Sequence, residues 1–192
     1  RVVPNIVLKK FFEHEYNKKI QNIHIQDPKI SSKFFSFVIT PEHDNPINGD
    51  NVLHSKGALH YLKEEEVKNT NLKNENVISL ILGGPNKYYS FSEKQMDKLF
   101  AKIKNMFISS KYKLIIIPSY RTPDNILKLA YNYFNEDHLV VKERDKKAYL
   151  SSLGLANIVI VTCDSTSMIS EAAITGKPVY VAQMNHRLSI HR

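Results

Sequence analysis

The sequence predicts an α/β protein: a parallel, doubly wound Rossmann-like sheet in the C-terminal part, with part of a second α/β domain before it. Three observations predict this. From about residue 77 onward, apolar runs of strand length alternate with amphipathic runs of helical length. The links between them are short, and alternation with short links makes a parallel sheet covered on both faces. The strand runs are apolar at almost every position, as strands buried on both faces are.

The elements follow in order. NVISLILGG (76–84) is a buried strand ending in glycines. SFSEKQMDKLFAKIKNMFISS (90–110) carries Met96, Leu99, Ile103, Met106 and Phe107 at three- and four-residue spacing, which makes an amphipathic helix, with Ser92 as its N-cap. KLIIIPS is the next buried strand, and TPDNILKLAYNYFN a helix opened by Thr122 and Pro123. HLVVKE is a short strand, and DKKAYLSSLGLA a helix or helix-like turn. NIVIVTC is a strand, STSMISEAAITG a helix stopped by Gly176, and KPVYVAQ the last strand.

Residues 1–70 read as the remnant of an N-terminal α/β domain. They hold a helix (about 4–18), short strands at NIHIQ and FFSFVIT, and then a Pro-, Asn-, Asp-, Gly- and His-rich loop (41–62). KEEEVKNTNLKNEN (63–76) is charged and polar and reads as a linker. Residues 71–192 read as the Rossmann-like domain, expected to be truncated at its C-terminus. The chain starts on Arg1 and ends after a strand with no closing helix, so sequence is expected to be missing at both ends.

Composition narrows the class. There is no run of about 18 apolar residues, so no spanning helix is expected. The single Cys163 allows no internal disulfide, fits a reducing compartment and reads as a small buried residue. A cytoplasmic location is expected, peripheral to the inner face of a membrane. The net charge of +8 favours anionic partners. The lysines are scattered without interleaved aromatics, which disfavours nucleic acid.

The unusual loops fall where strands end, which is where open α/β sheets bind ligands. Gly83 and Gly84 let backbone approach a phosphate, and Asn86 and Lys87 add a polar handle and a cation. The run GGPNK is neither a Walker loop nor GxGxxG. Arg121 in SYRTP can grip a diphosphate with two N–H groups. Ser165, Thr166 and Ser167 open a helix, where they can cap it and receive an anion. Glu171, one turn further in, can take the two hydroxyls of a ribose; its plainer role is a hydrogen bond to the Gly176–Lys177 turn. His43, with Asp44 as orienting partner, is a candidate general base. His54 and His60 are weaker candidates, and none of these has zinc-ligand spacing. No metal site and no cofactor are expected.

Taken together, PEHD (41–44), GDNVLHSKGALH (49–60), LGGPNKYY (82–89), PSYRTP (118–123) and VTCDSTSMISEAAITGKPVYV (161–181) resemble the mitochondrial fission elongated-mitochondria protein family. Its bacterial members are of unassigned activity and are sometimes labelled nucleoside-diphosphate-sugar epimerases. The resemblance implies a longer parent chain. It also implies an adaptor role, since plant members are implicated in recruiting a dynamin-like GTPase to mitochondria. More distantly, residues 77–182 resemble the donor-binding domain of GT-B glycosyltransferases. That resemblance implies a GT-B-like fold with residues 1–70 on the acceptor side and 71–192 binding the nucleotide sugar, diphosphate contacts at Gly83, Gly84, Ser165, Thr166 and Ser167, and ribose contacts at Glu171.

Two functions compete. One is a metal-independent glycosyltransferase that binds a nucleoside-diphosphate sugar, its substrate, in an interdomain cleft and serves a membrane-associated acceptor. The other is a non-catalytic adaptor of the mitochondrial-fission type. A nucleotide-sugar epimerase comes third, because it needs a nicotinamide site and the Gly fingerprint is absent.

Overall fold

The computed structural model describes residues 2–44, 48–68, 76–107, 112–134 and 138–187. Residues 45–47, most of the expected linker (69–75), residues 108–110 of the helix expected at 90–110, and the residues from 188 lie outside the described residues. The chain divides into two compact units, 1–59 and 60–192.

The first unit holds helix α1 (Val2–Tyr16) and strands β1 (Ile23–Ile25), β2 (Phe37–Pro41) and β3 (Val52–Ser55). The strands form a parallel sheet in the order β1-β2-β3. Its core is small: Phe35, Val38 and Val52, with Val2 and Ile6 of α1 packed against them. β3 falls in the stretch read from sequence as loop. Its Asn, Asp and Gly surroundings signal turns, but Val52 pairs with Val38 and the strand is added to the edge of β2.

The second unit comprises α2 (Glu64–Lys68), β4 (Asn76–Leu82), β5 (Tyr89–Ser90), α3 (Glu93–Phe107), β6 (Tyr112–Pro118), α4 (Asp124–Phe134), β7 (Leu139–Val140), α5 (Lys146–Leu155), β8 (Ile158–Thr162), α6 (Thr166–Ala173), β9 (Val179–Ala182) and β10 (Asn185–His186). Five strands form one parallel sheet in the order β7-β6-β4-β8-β9. This is the Rossmann-like α/β arrangement that the alternation predicts. The order turns back at β4, which has β6 on one side and β8 on the other. β5 and β10 pair antiparallel in a separate small ribbon.

The strand period of two divides the sheet's side chains between two cores. Ile78, Leu80 and Leu82 of β4 and Ile116 of β6 pack with Met96, Phe100 and Ile103 of α3 and with Ile126, Ala130 and Phe134 of α4. Ile81, Val159 and Val161 pack on the other side with Leu153 of α5 and Ala172 of α6. Leu62 and Val67 join that second core, Val67 from α2. The sequence places a boundary at residue 70, whereas the compact units divide between Leu59 and His60, so that Leu62 and Val67 belong to the second unit.

Local signals set the helix ends. The Ser92 hydroxyl accepts from the Gln95 N–H at the start of α3. Asp145 accepts from Lys147 and Ala148 at the start of α5, and Ser165 caps α6 through Met168. Past α6, Gly176 has φ +67°, a left-handed conformation that glycine adopts without steric cost. No helix among the described residues is long and apolar enough to cross a membrane.

Candidate functional site

Three loops meet at the carboxyl ends of β4, β6 and β8, and Asp164 ties them together. Its side chain is fully buried. One carboxylate oxygen accepts from the Thr162 hydroxyl at 2.6 Å. The other accepts from the Gly84 N–H at 3.2 Å and from the Arg121 guanidinium at 2.7 Å. The Asp164 carbonyl receives the Asn86 amide at 2.9 Å, and the Thr162 hydroxyl receives the Gly83 N–H at 2.8 Å. Thr122 closes the set by donating to the Leu82 and Gly83 carbonyls.

The two glycines are needed for contact. A Cβ on Gly83 would lie 2.1 Å from an Asp164 carboxylate oxygen, and one on Gly84 would lie 1.9 Å from the Arg121 carbonyl oxygen. The double glycine therefore lets the loop after β4 lie directly on its two neighbours. β4 is where the sheet order turns back, the position at which open α/β sheets take ligands.

Beside this junction lies a pocket of about 380 Å³. Ile81, Ile117 and Met168 give it apolar walls, Tyr61, Tyr120 and Tyr149 give it rings, and Arg144, Lys146 and Glu171 give it charge. Glu171 accepts a 2.6 Å hydrogen bond from the Tyr149 hydroxyl. Burial pushes the Tyr149 hydroxyl far above the usual tyrosine range, and the Glu171 carboxylate adds to the shift. Lys146 sits over the Tyr61 ring at 4.4 Å. Arg144 braces the β6–α4 loop through the Ser119 and Thr122 carbonyls and the Asp124 carboxylate.

The residues picked from sequence fall as follows. Gly83, Gly84, Asn86 and Arg121 share the Asp164 network. Asn86 also closes its own loop, its side-chain oxygen accepting from the Tyr88 and Tyr89 N–H groups. Lys87 is exposed, with its amine over the Tyr88 ring at 4.5 Å. Ser165 is the N-cap of α6; Thr166 and Ser167 follow it, exposed, in the first turn, where a helix leaves N–H groups without intrahelical acceptors. Glu171 reaches Tyr149, while Lys177 holds the end of α5 by donating to the Leu153 and Gly154 carbonyls. Burial lowers the Lys177 amine below the usual lysine range.

His43 and Asp44 belong to the first unit, in a short 3-10 turn (Glu42–Asp44) after β2. The imidazole Nε2 stands 3.8 Å from the Asp44 carboxylate, longer than a hydrogen bond. His54 is exposed on β3. Cys163 is partly buried, and its sulfur accepts from the Met184 N–H. No cluster of three metal-ligating side chains occurs among the described residues.

Sequence reasoning did not find Asp164 as an organiser, nor Tyr149, Tyr61, Arg144 and Lys146 as pocket walls. The available signal for Asp164 was its place directly after a buried strand and before a helix start.

Sheet order and loop junction define a Rossmann-like α/β protein with a ligand-sized pocket at its strand ends. The family model for mitochondrial fission ELM1 matches residues 6–191, and the chain belongs to that family. It is 24% identical over 196 residues to the mitochondrial fission protein ELM1 of Arabidopsis thaliana, covering 85% of this chain and 46% of that protein. It is 34% identical over 108 residues to the uncharacterized protein RP120 of Rickettsia prowazekii (strain Madrid E), covering 54% of this chain and 30% of that protein. The chain thus spans less than half of either relative.

Proposed function

We propose that the second unit binds a nucleoside diphosphate, as the donor-sugar domain of a GT-B-like glycosyltransferase would. The observation that carries this reading is Glu171, a carboxylate held by Tyr149 at the edge of a partly apolar, tyrosine-lined pocket where the parallel strands end. A carboxylate so placed can accept from both hydroxyls of a ribose. Aromatic and apolar walls suit a base. Arg121, with its side chain 40% exposed, and the N–H groups opening α6 are proposed as the diphosphate contacts. Turnover would stabilise the leaving diphosphate at those donors.

The test is calorimetric titration of the full-length parent protein with UDP, GDP, ADP and CDP, beside Glu171→Ala. The reading expects one diphosphate to bind selectively, with affinity at least tenfold weaker in the variant and the melting temperature little changed. If Glu171→Ala lowers stability and leaves binding alone, the carboxylate is structural.

A second reading is a non-catalytic adaptor, favoured by the name that the Arabidopsis relative carries. No diphosphate binding by the folded parent protein supports it.

A further inference from the structure

We propose that the Asp164 carboxylate is an internal occupant of the anion position under the Gly83–Gly84 loop and limits the negative charge that the crevice accepts. The inference deepens the reading above, since it concerns the charge selectivity of the same strand-end crevice, but its own test needs no nucleotide.

Asp164 takes what a phosphate would take there. It receives a glycine-loop N–H, a threonine hydroxyl and a guanidinium. The absent Cβ of Gly83, the feature that lets a phosphate loop approach its ligand, here makes room for the Asp164 side chain. The carboxylate is fully enclosed, whereas Arg121 keeps part of its side chain exposed. A guanidinium has five N–H donors, so Arg121 can hold Asp164 and still offer donors to an incoming anion.

The electrostatic consequence has a definite sign. The Asp164–Arg121 pair is neutral overall, so an entering anion meets Arg121 with its charge already offset. The penalty grows with ligand charge. A sugar ester of a nucleoside diphosphate has no ionisable terminal phosphate, whereas the free diphosphate has one, with a second ionisation near pH 6 as in phosphoserine. Asp164 therefore biases the crevice toward the esterified form and against the free diphosphate.

The experiment uses Asp164→Asn in the full-length protein, with inorganic pyrophosphate as the probe. Asparagine keeps the shape and can still accept from Gly84 and Arg121, but it removes one negative charge. Pyrophosphate should bind the variant about tenfold more tightly than the parent, and the gap should shrink at 1 M salt, as screening requires. Equal or weaker binding by a folded variant, or no binding by either protein, would overturn the proposal.

Arg121→Lys provides a second test should Asp164→Asn fail to fold. It keeps the charge but loses the fork of donors, so pyrophosphate should bind several-fold more weakly. Unchanged binding would count against Arg121 as the anion's partner and overturn the proposal. Tighter pyrophosphate binding by Asp164→Asn, with no nucleoside diphosphate bound by any variant, would sink the nucleotide reading and leave this inference standing. Nucleotide binding with no pyrophosphate response would do the reverse.

Discussion

Asp164 and Glu171 stand on either side of the start of α6, and their surroundings differ in kind. Asp164 is closed over. Both oxygens are engaged, its carbonyl is engaged, and the neighbouring glycines leave no space for so much as a methyl group. Among the described residues Glu171 takes one hydrogen bond, from Tyr149, and it lines a pocket. Acidic side chains near one helix start can thus do opposite things. A buried charge with every partner in place is part of the framework, because removing any one partner leaves a costly orphan. A half-buried carboxylate with one partner keeps capacity for a ligand. The contrast predicts that changes around Asp164 cost stability, and that changes around Glu171 cost binding.

The largest effect is expected from Gly84→Ala. The new Cβ would lie 1.9 Å from the Arg121 carbonyl oxygen, a backbone atom that cannot rotate away. Separating the loops after β4 and β6 would also stretch the Asp164 bonds to Gly84 and Arg121. A cost of about 3 kcal/mol is expected, seen as a fall in Tm on the order of 10 °C by thermal denaturation. A Tm within roughly 2 °C of the parent would break the comparison, because the junction would then yield as easily as a surface loop.

Next comes Lys177→Met, which sharpens the Glu171 side. The Lys177 amine donates to the Leu153 and Gly154 carbonyls at the end of α5. Removing it should cost about 2 kcal/mol in denaturant unfolding, the scale of leaving such acceptors unsatisfied. Nucleotide affinity should not follow. Should Glu171→Ala cost as much stability as Lys177→Met, the two residues would be parts of one structural corner, and Glu171 would lose its claim to a ligand.

How much of this was legible in the sequence depends on the range of the interaction. The strands β4, β6 and β8 were legible because burial on both faces writes itself as unbroken apolar runs. The α3 helix was legible because Met96, Leu99, Ile103 and Phe107 recur at three- and four-residue spacing and pack on the core, although Phe100 is fully buried there as well and Met106 is exposed. Strand β3 was not, since Val52–Ser55 is defined by pairing with β2 and sits among turn-forming residues. Val67 was lost in the charged stretch (63–76) that reads as linker, and Leu62 at the end of the loop before it, although both are buried. The site divides the same way. Glycines, serines and Arg121 stand out locally, as residues that loops use. The Arg121–Asp164 and Tyr149–Glu171 pairs do not, because each joins separate βα segments that only the folded sheet brings together.

The smallest and most specific effect concerns Tyr149→Phe, and it is read through pH. Burial and the bond to Glu171 raise the Tyr149 hydroxyl above its ordinary value of 10.0 in the folded state. The folded protein therefore keeps this proton where the unfolded chain has lost it. The associated stability is fully present below pH 10 and declines as pH rises further, because the unfolded state then binds fewer protons. Removing the hydroxyl should cost about 1 kcal/mol at pH 7, as for a single hydrogen bond. Above pH 10 the variant should lose stability more slowly than the parent, by up to about 1.4 kcal/mol per pH unit. Urea unfolding at pH 7, 9 and 11 measures both numbers. Parallel pH profiles for the two proteins would mean that the Tyr149 hydroxyl ionises as freely when folded as when unfolded. Glu171 would then stand in water, without the tyrosine clamp that sets it apart from an ordinary surface carboxylate.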